Sequence, residues 1–228
     1  MTTTVASRKV ARRWGAGTAA IARVLVAADE PLTGVAIAAS VGVSQPRASQ
    51  VLNQFGALHA VRATDDGYVG DATVLLDLYQ RRARPTLRES ESYWYSTRSM
   101  SEQVALIVQR ARTDRAAVAV SADLGPDLLA PWRHPTLTVV YTAVTPERLA
   151  ADLVPAEGRA DASIITRWTS DATLLAPAPP WPAVVADVPL ADPVQQWWDL
   201  LDLGGEDRRE AADRLRDAIL QRALPGTR

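Results

Sequence analysis

Residues with recognisable chemistry cluster in one stretch of the chain. Gln45, Arg47, Ser49, Gln50, Asn53 and Gln54 stand between Ser44 and Phe55, and no acidic residue stands among them. These are the side chains that read nucleic-acid base edges. An arginine fork matches the acceptors of guanine, an amide matches adenine, and a hydroxyl serves either base. A helix face that is merely solvated usually mixes in glutamate or aspartate. The bland alternative is a helical hairpin packed inside a larger domain. Gln45, Arg47, Ser49 and Gln50 lie toward the N-terminal half of the segment, the half that enters a major groove, and come first as base or phosphate contacts. Asn53 and Gln54 come after them.

Such a face needs a scaffold that fixes it. Thr33 to Phe55 reads TGVAIAASVGVSQPRASQVLNQF. Thr33 is a good N-cap for a helix carrying Val35, Ile37, Ala38 and Val41. Ala38 is the small residue needed where a second helix crosses, and Gly42 tolerates the positive φ of a sharp turn. Val43 supplies the apolar residue after that turn. Ser44 caps the next helix, and Pro46 falls in its first turn, where a missing N–H costs little. Ala48, Val51, Leu52 and Phe55 follow the i, i+3, i+4, i+7 pattern of an inward face. Thr33 and Ser44, at the two helix starts, join the candidate DNA contacts.

The flanking segments extend this motif. Gly15 to Ala28 has helical periodicity. Val61 to Val69 contains Asp65-Asp66-Gly67 between β-prone runs, a hairpin signal. Helix, helix, turn, helix, hairpin is the order of a winged helix-turn-helix. On the wing, Arg62 and Thr64 could reach phosphates, whereas Asp65 and Asp66 would be repelled by them. Thr73 to Gln80 predicts a fourth helix. The charged segment from Arg81, with Pro85, predicts a linker. Beyond it, Met100 to Arg112, Leu124 to Ala130, Pro193 to Leu203 and Arg208 to Leu224 predict helices. Ala116 to Ser121, Thr136 to Tyr141, Ile164 to Trp168, Ala172 to Leu175 and Ala183 to Val185 predict strands. The expected fold class is α+β: a winged helix-turn-helix over 1–80, a linker over 81–98, and a mixed α/β domain with C-terminal helices over 99–228.

Composition narrows the remaining functions. The chain has 228 residues, no cysteine, two histidines and a net charge of −1, so thiolate chemistry and cysteine-held metals are excluded. Through Arg98 there are 12 basic against 8 acidic residues; beyond it there are 13 against 18. The modest basic excess lies in the half with the recognition face. No phosphate-loop, dinucleotide or Gly-x-Ser-x-Gly motif occurs. A divergent metal-dependent nuclease would usually want a lysine beside its acids, and the one lysine is Lys9. Asp123 and Asp127 read as helix capping and surface charge, and His59 and His134 as structural. No apolar run is long enough to span a membrane, and Arg23 interrupts the apolar stretch near the start, so a cytoplasmic location is expected. The expectation is no enzyme, no cofactor and no metal. Trp181, Trp197 and Trp198 could line a small-molecule pocket, which makes a ligand-sensing regulator the second reading.

One resemblance covers most of the chain. The run from Val188 to Leu201 (VPLADPVQQWWDLL), then Gly204-Gly205-Glu206, then Glu210 to Arg216 (EAADRLR), resembles the AbiEi-type antitoxins of type IV toxin–antitoxin, or abortive-infection, systems. Ser121 to Trp132 and Leu137 to Tyr141 resemble the middle region of that family. The resemblance implies an autorepressing transcriptional regulator that binds an operator in double-stranded DNA. It also implies a nucleotidyltransferase-like toxin as partner, opposed without a stable complex, and it brings no catalytic residues. Regulators built on this motif usually bind as homodimers; the region of Trp14 or of Trp94 is the expected dimer surface.

Overall fold

The computed structural model describes residues 13–83, 91–132 and 134–225. The sequence of Thr2 to Arg13 reads as a polar, basic arm, and all of it but Arg13 lies outside these residues. Among the described residues the chain is a mixed α+β protein with ten helices and three sheets.

The N-terminal part begins with α1 (Ala16–Ala27), α2 (Gly34–Val41) and α3 (Gln45–Ala57). Thr33 caps α2, its Oγ1 accepting from Ala36 N at 3.2 Å. Gly42 ends α2 in the left-handed region at φ 67°, where a side chain would be strained. Ile37, Ala38, Ala48, Val51, Leu52 and Phe55 are buried with α1 in one core. Gly56 sits inside the last turn of α3. The hairpin β1 (Val61–Thr64) and β2 (Gly67–Gly70) pairs Val61 with Gly70 and Thr64 with Gly67. Leu32 adds a single bridge to Tyr68. Gly67 allows this approach: a Cβ there would lie 2.6 Å from the Leu32 carbonyl oxygen. Helix α4 (Ala72–Arg82) follows. Trp14 is buried against Phe55 and Tyr79, so it offers no dimer surface.

Among the described residues of the expected linker, 81–98, some lie in regular elements. Arg81 and Arg82 belong to α4, 84–90 lie outside the described residues, and Glu91–Tyr95 is strand β3. Strands β4 (Val118–Val120), β5 (Thr138–Thr142), β6 (Val154–Pro155) and β7 (Ile164–Trp168) complete a five-stranded sheet in the order β4-β5-β7-β3-β6. Only β5 and β7 are parallel. One face packs on α5 (Met100–Asp114), through Trp94, Val104, Ile107, Val120, Val140 and Ile164. Trp94 therefore lies inside, its indole N–H donating to Thr166 Oγ1 at 2.8 Å. The sheet's other face belongs to the same core as α1 and α4.

Short helices α6 (Leu124–Leu129), α7 (Pro146–Leu149) and α8 (Ala172–Leu175) lie between strands. Ala172–Leu175 was expected to be a strand. Asp171 decides otherwise: its side chain accepts from Thr173 N at 3.0 Å and starts a helical turn. A small hairpin, β8 (Val184–Val185) and β9 (Val188–Pro189), leads into α9 (Pro193–Leu203) and α10 (Glu206–Leu220). Asp123 is held by Arg208 at 2.7 Å and Asp127 accepts from Trp132 N at 3.1 Å, so both are structural. Arg222 closes the chain onto α1, donating to the carbonyls of Ala27 at 2.6 Å and Ala28 at 2.7 Å. These are last-turn carbonyls with no partner inside their own helix.

Candidate nucleic-acid interface

Helix geometry sorts the residues of α3. At 100° per residue, Ala48, Val51, Leu52 and Phe55 occupy one arc, and all four are buried. Asn53 and Gln50 fall nearest the middle of the opposite arc, Ser49 and Gln54 flank them, and Gln45 and Arg47 stand at its two margins. Gln45, Arg47, Gln50, Asn53 and Gln54 are exposed and Ser49 is half-buried. The angular order thus moves Asn53, a later candidate by sequence, to the centre of the face.

Arg47 is already engaged. Its Nη1 donates to Gln50 Oε1 at 2.6 Å and its Nη2 to Thr18 Oγ1 at 3.1 Å. Thr18 is buried at the start of α1. Arg47 therefore lies along the margin of α3 toward α1, a position suited to backbone phosphate more than to a base edge. The bond to Gln50 occupies that amide's oxygen and leaves its NH2 as the group it can offer.

The other predicted contacts divide. Arg62 is exposed on β1. The Thr64 hydroxyl is spent inside the hairpin, donating to the Gly67 carbonyl at 3.0 Å. Thr33 is spent on its cap. Ser44 occupies the N-cap position of α3 without a side-chain cap bond and is exposed. Asp65 and Asp66 are exposed at the hairpin tip. No group of three or more His, Asp or Glu among the described residues could hold a metal ion. No helix among them is long and apolar enough to cross a membrane. Trp181, Trp197 and Trp198 are core residues.

Behind this face runs a buried polar chain that sequence reading missed. Cross-strand register sets Tyr141 of β5, Arg167 of β7 and Glu91 of β3 in a row across the sheet. Gln195 and Asp199 of α9, four residues apart and so on one helix face, sit over that row. Arg167 Nη1 donates to Asp199 Oδ1 at 2.6 Å, and its Nη2 lies 2.8 Å from Glu91 Oε1. Tyr141 and Ser121 donate to Asp199 at 2.9 and 2.5 Å. Gln195 Nε2 donates to Tyr141 Oη at 2.9 Å, and Gln195 Oε1 accepts from Tyr79 Oη at 2.7 Å. Arg23 Nη1 of α1 donates to that same Tyr79 oxygen at 2.8 Å. Burial pushes the Tyr79 phenol up to about 12, so it remains a donor. Asp171 lies 2.9 Å from Arg23 Nη2. One signal of this chain was visible, an arginine inside an otherwise apolar helix, because a buried charge requires partners.

Asp192, the N-cap of α9, is fully buried near Arg23. Burial raises its carboxyl from 3.8 to about 6, against the pull of Arg23. The folded protein therefore keeps a proton that the unfolded chain has released, and stability falls as pH rises through that window. Asp192→Asn keeps the cap and removes the titration. Urea unfolding at several pH values should show the variant gaining on the parent between those two values, at up to about 1.4 kcal/mol per pH unit. A difference curve flat across the window would refute this assignment.

Comparison with protein-family models, with curated proteins and with solved structures finds no match to the chain.

Proposed function

We propose that the chain is a DNA-binding transcriptional regulator, with residues 13–83 acting as a winged helix-turn-helix and α3 as its recognition helix. The observation that carries this reading is the exposed face of α3, which is polar, acid-free and held rigidly from behind by four buried apolar residues. The left-handed turn at Gly42 and the hairpin braced by Leu32 support it. Asn53, Gln50 and Ser49 are the base-reading candidates, Gln54 stands beside them, and Arg47 and Arg62 are the phosphate candidates. The narrower reading is an autorepressing homodimeric antitoxin of AbiEi type, opposing a nucleotidyltransferase-like toxin. It rests on the sequence resemblance alone, carried by the C-terminal motifs and the middle region.

Fluorescence anisotropy with duplexes tiling the protein's own upstream region tests the first reading. A specific duplex should bind far more tightly than random sequence. Arg47→Ala should weaken binding by roughly 1–3 kcal/mol. An equal loss on random DNA, with a shallower salt dependence, is the signature of a phosphate contact. No loss on either duplex would sink the recognition-helix assignment.

A further inference from the structure

A cavity of about 210 Å³ lies between α1, the end of α2 and the segment after α8. Ala20 and Val24 form its α1 wall, and Ala176, Pro177, Ala178 and Pro179 the wall opposite. Ser40 of α2 closes one side, just before the turn that leads to α3. Thr173 and two charged side chains, Arg23 and Asp192, complete the lining, the charged pair exposed by only 2% and 1%.

Their geometry defines a polar subsite. Arg23 uses Nη1 on Tyr79 and Nη2 on Asp171 and Thr173, but its buried Nε has no hydrogen-bond partner. Buried polar groups of native proteins rarely lack one. Asp192 Oδ2 lies 4.0 Å from that Nε, beyond hydrogen-bond range. A single oxygen about 2.9 Å from each atom spans such a gap. It must accept from the Nε–H and donate to the carboxylate, which describes a hydroxyl. A ligand carboxylate would face Asp192 and Asp171, and a ligand ammonium would face Arg23, so neither charge suits the subsite. The remaining walls ask for an apolar body. A cavity of roughly 150 Å³ is known to hold benzene, so this one has room for a ring with a hydroxyl.

We propose that this cavity binds a small uncharged alcohol or phenol, its hydroxyl bridging Arg23 Nε and Asp192 Oδ2. The inference concerns the protein without DNA and stands or falls independently of the α3 reading.

The test is titration of the full chain with phenol and benzyl alcohol, followed by heteronuclear NMR, with toluene, benzoate and benzylamine as comparison probes. Either alcohol should saturate a single site. Toluene should bind at least tenfold more weakly, and the two ions should not bind. Ala176→Phe, at the exposed rim, should abolish the shifts while leaving the thermal unfolding midpoint near that of the parent. Asp192→Asn, which retains the cap, should weaken the alcohols and leave toluene unchanged. Equal binding of toluene and phenol would overturn the hydroxyl bridge. Preference for benzoate would show an anion site instead. Absence of saturation by either alcohol would show a cavity that water alone fills, and the proposal would fail.

Discussion

Arg167→Met should lower the unfolding free energy by roughly 3–5 kcal/mol, because removing one member of a buried ion pair strands its partner. Arg167 is fully buried and stands between two carboxylates with almost no exposure, Asp199 and Glu91. Burial opposes its charge, but the surrounding Tyr141, Asp199 and Glu91 outweigh that and hold the guanidinium more firmly protonated than usual. Glu91 is likewise held below the usual carboxylate range: burial raises it, and Arg167, the Tyr93 hydroxyl and Arg159 together more than offset the rise. Methionine preserves the length of the side chain and deletes the charge. Urea denaturation near neutral pH measures the loss. Adding Asp199→Asn should recover part of it, since one stranded charge is then gone while its donors keep an acceptor. A single-variant cost below about 1 kcal/mol, the level of an exposed pair, would contradict the buried network.

Tyr79→Phe should be the next most damaging change, although it removes one oxygen atom. That oxygen accepts from Arg23 and donates to Gln195, and all three side chains are buried. Phenylalanine fills the same space and leaves both partners unsatisfied, at about 1–3 kcal/mol for each orphaned buried group. The effect should be shared between the two halves of the chain. Hydrogen exchange should speed up in α1 and in α9 together, since the phenol links them. A loss confined to α4 would show that the oxygen matters only locally. The double variant Tyr79→Phe with Gln195→Leu should cost less than the sum of the single changes, because one orphan disappears with its partner.

How much of this was legible follows the range of the interactions. Helices α1 to α4, α5, α9 and α10 could be read from apolar spacing and capping residues, which act within a few positions. The strand at Ile164–Trp168 was legible because β-branched residues crowd there. Glu91–Tyr95 was not, because Glu91 looks like a solvent-facing charge until Arg167, far along the chain, is placed beside it. Ala172–Leu175 misled for a related reason: its composition suits a strand, but the preceding Asp171 caps a turn and reaches Arg23. On α3, residue types pointed to the polar face, but only the burial of Thr18 shows why Arg47 leans away from its centre. The cavity beside Arg23 had no sequence signal, since its walls come from four separate segments.

The closure of Arg222 on Ala27 and Ala28 has a consequence for biosynthesis. The two contacts join residues 195 and 194 positions apart. The chain emerges from the ribosome N-terminus first, at roughly 5–20 residues per second. The last carbonyls of α1 therefore wait for 194 further residues before Arg222 reaches them, whereas Arg23 meets Tyr79 after only 56. A nascent chain can therefore pack α3 on α1 long before the last carbonyls of α1 are closed. A product that stops short of Arg222 would keep the α1–α3 core and leave that end of α1 without its partner.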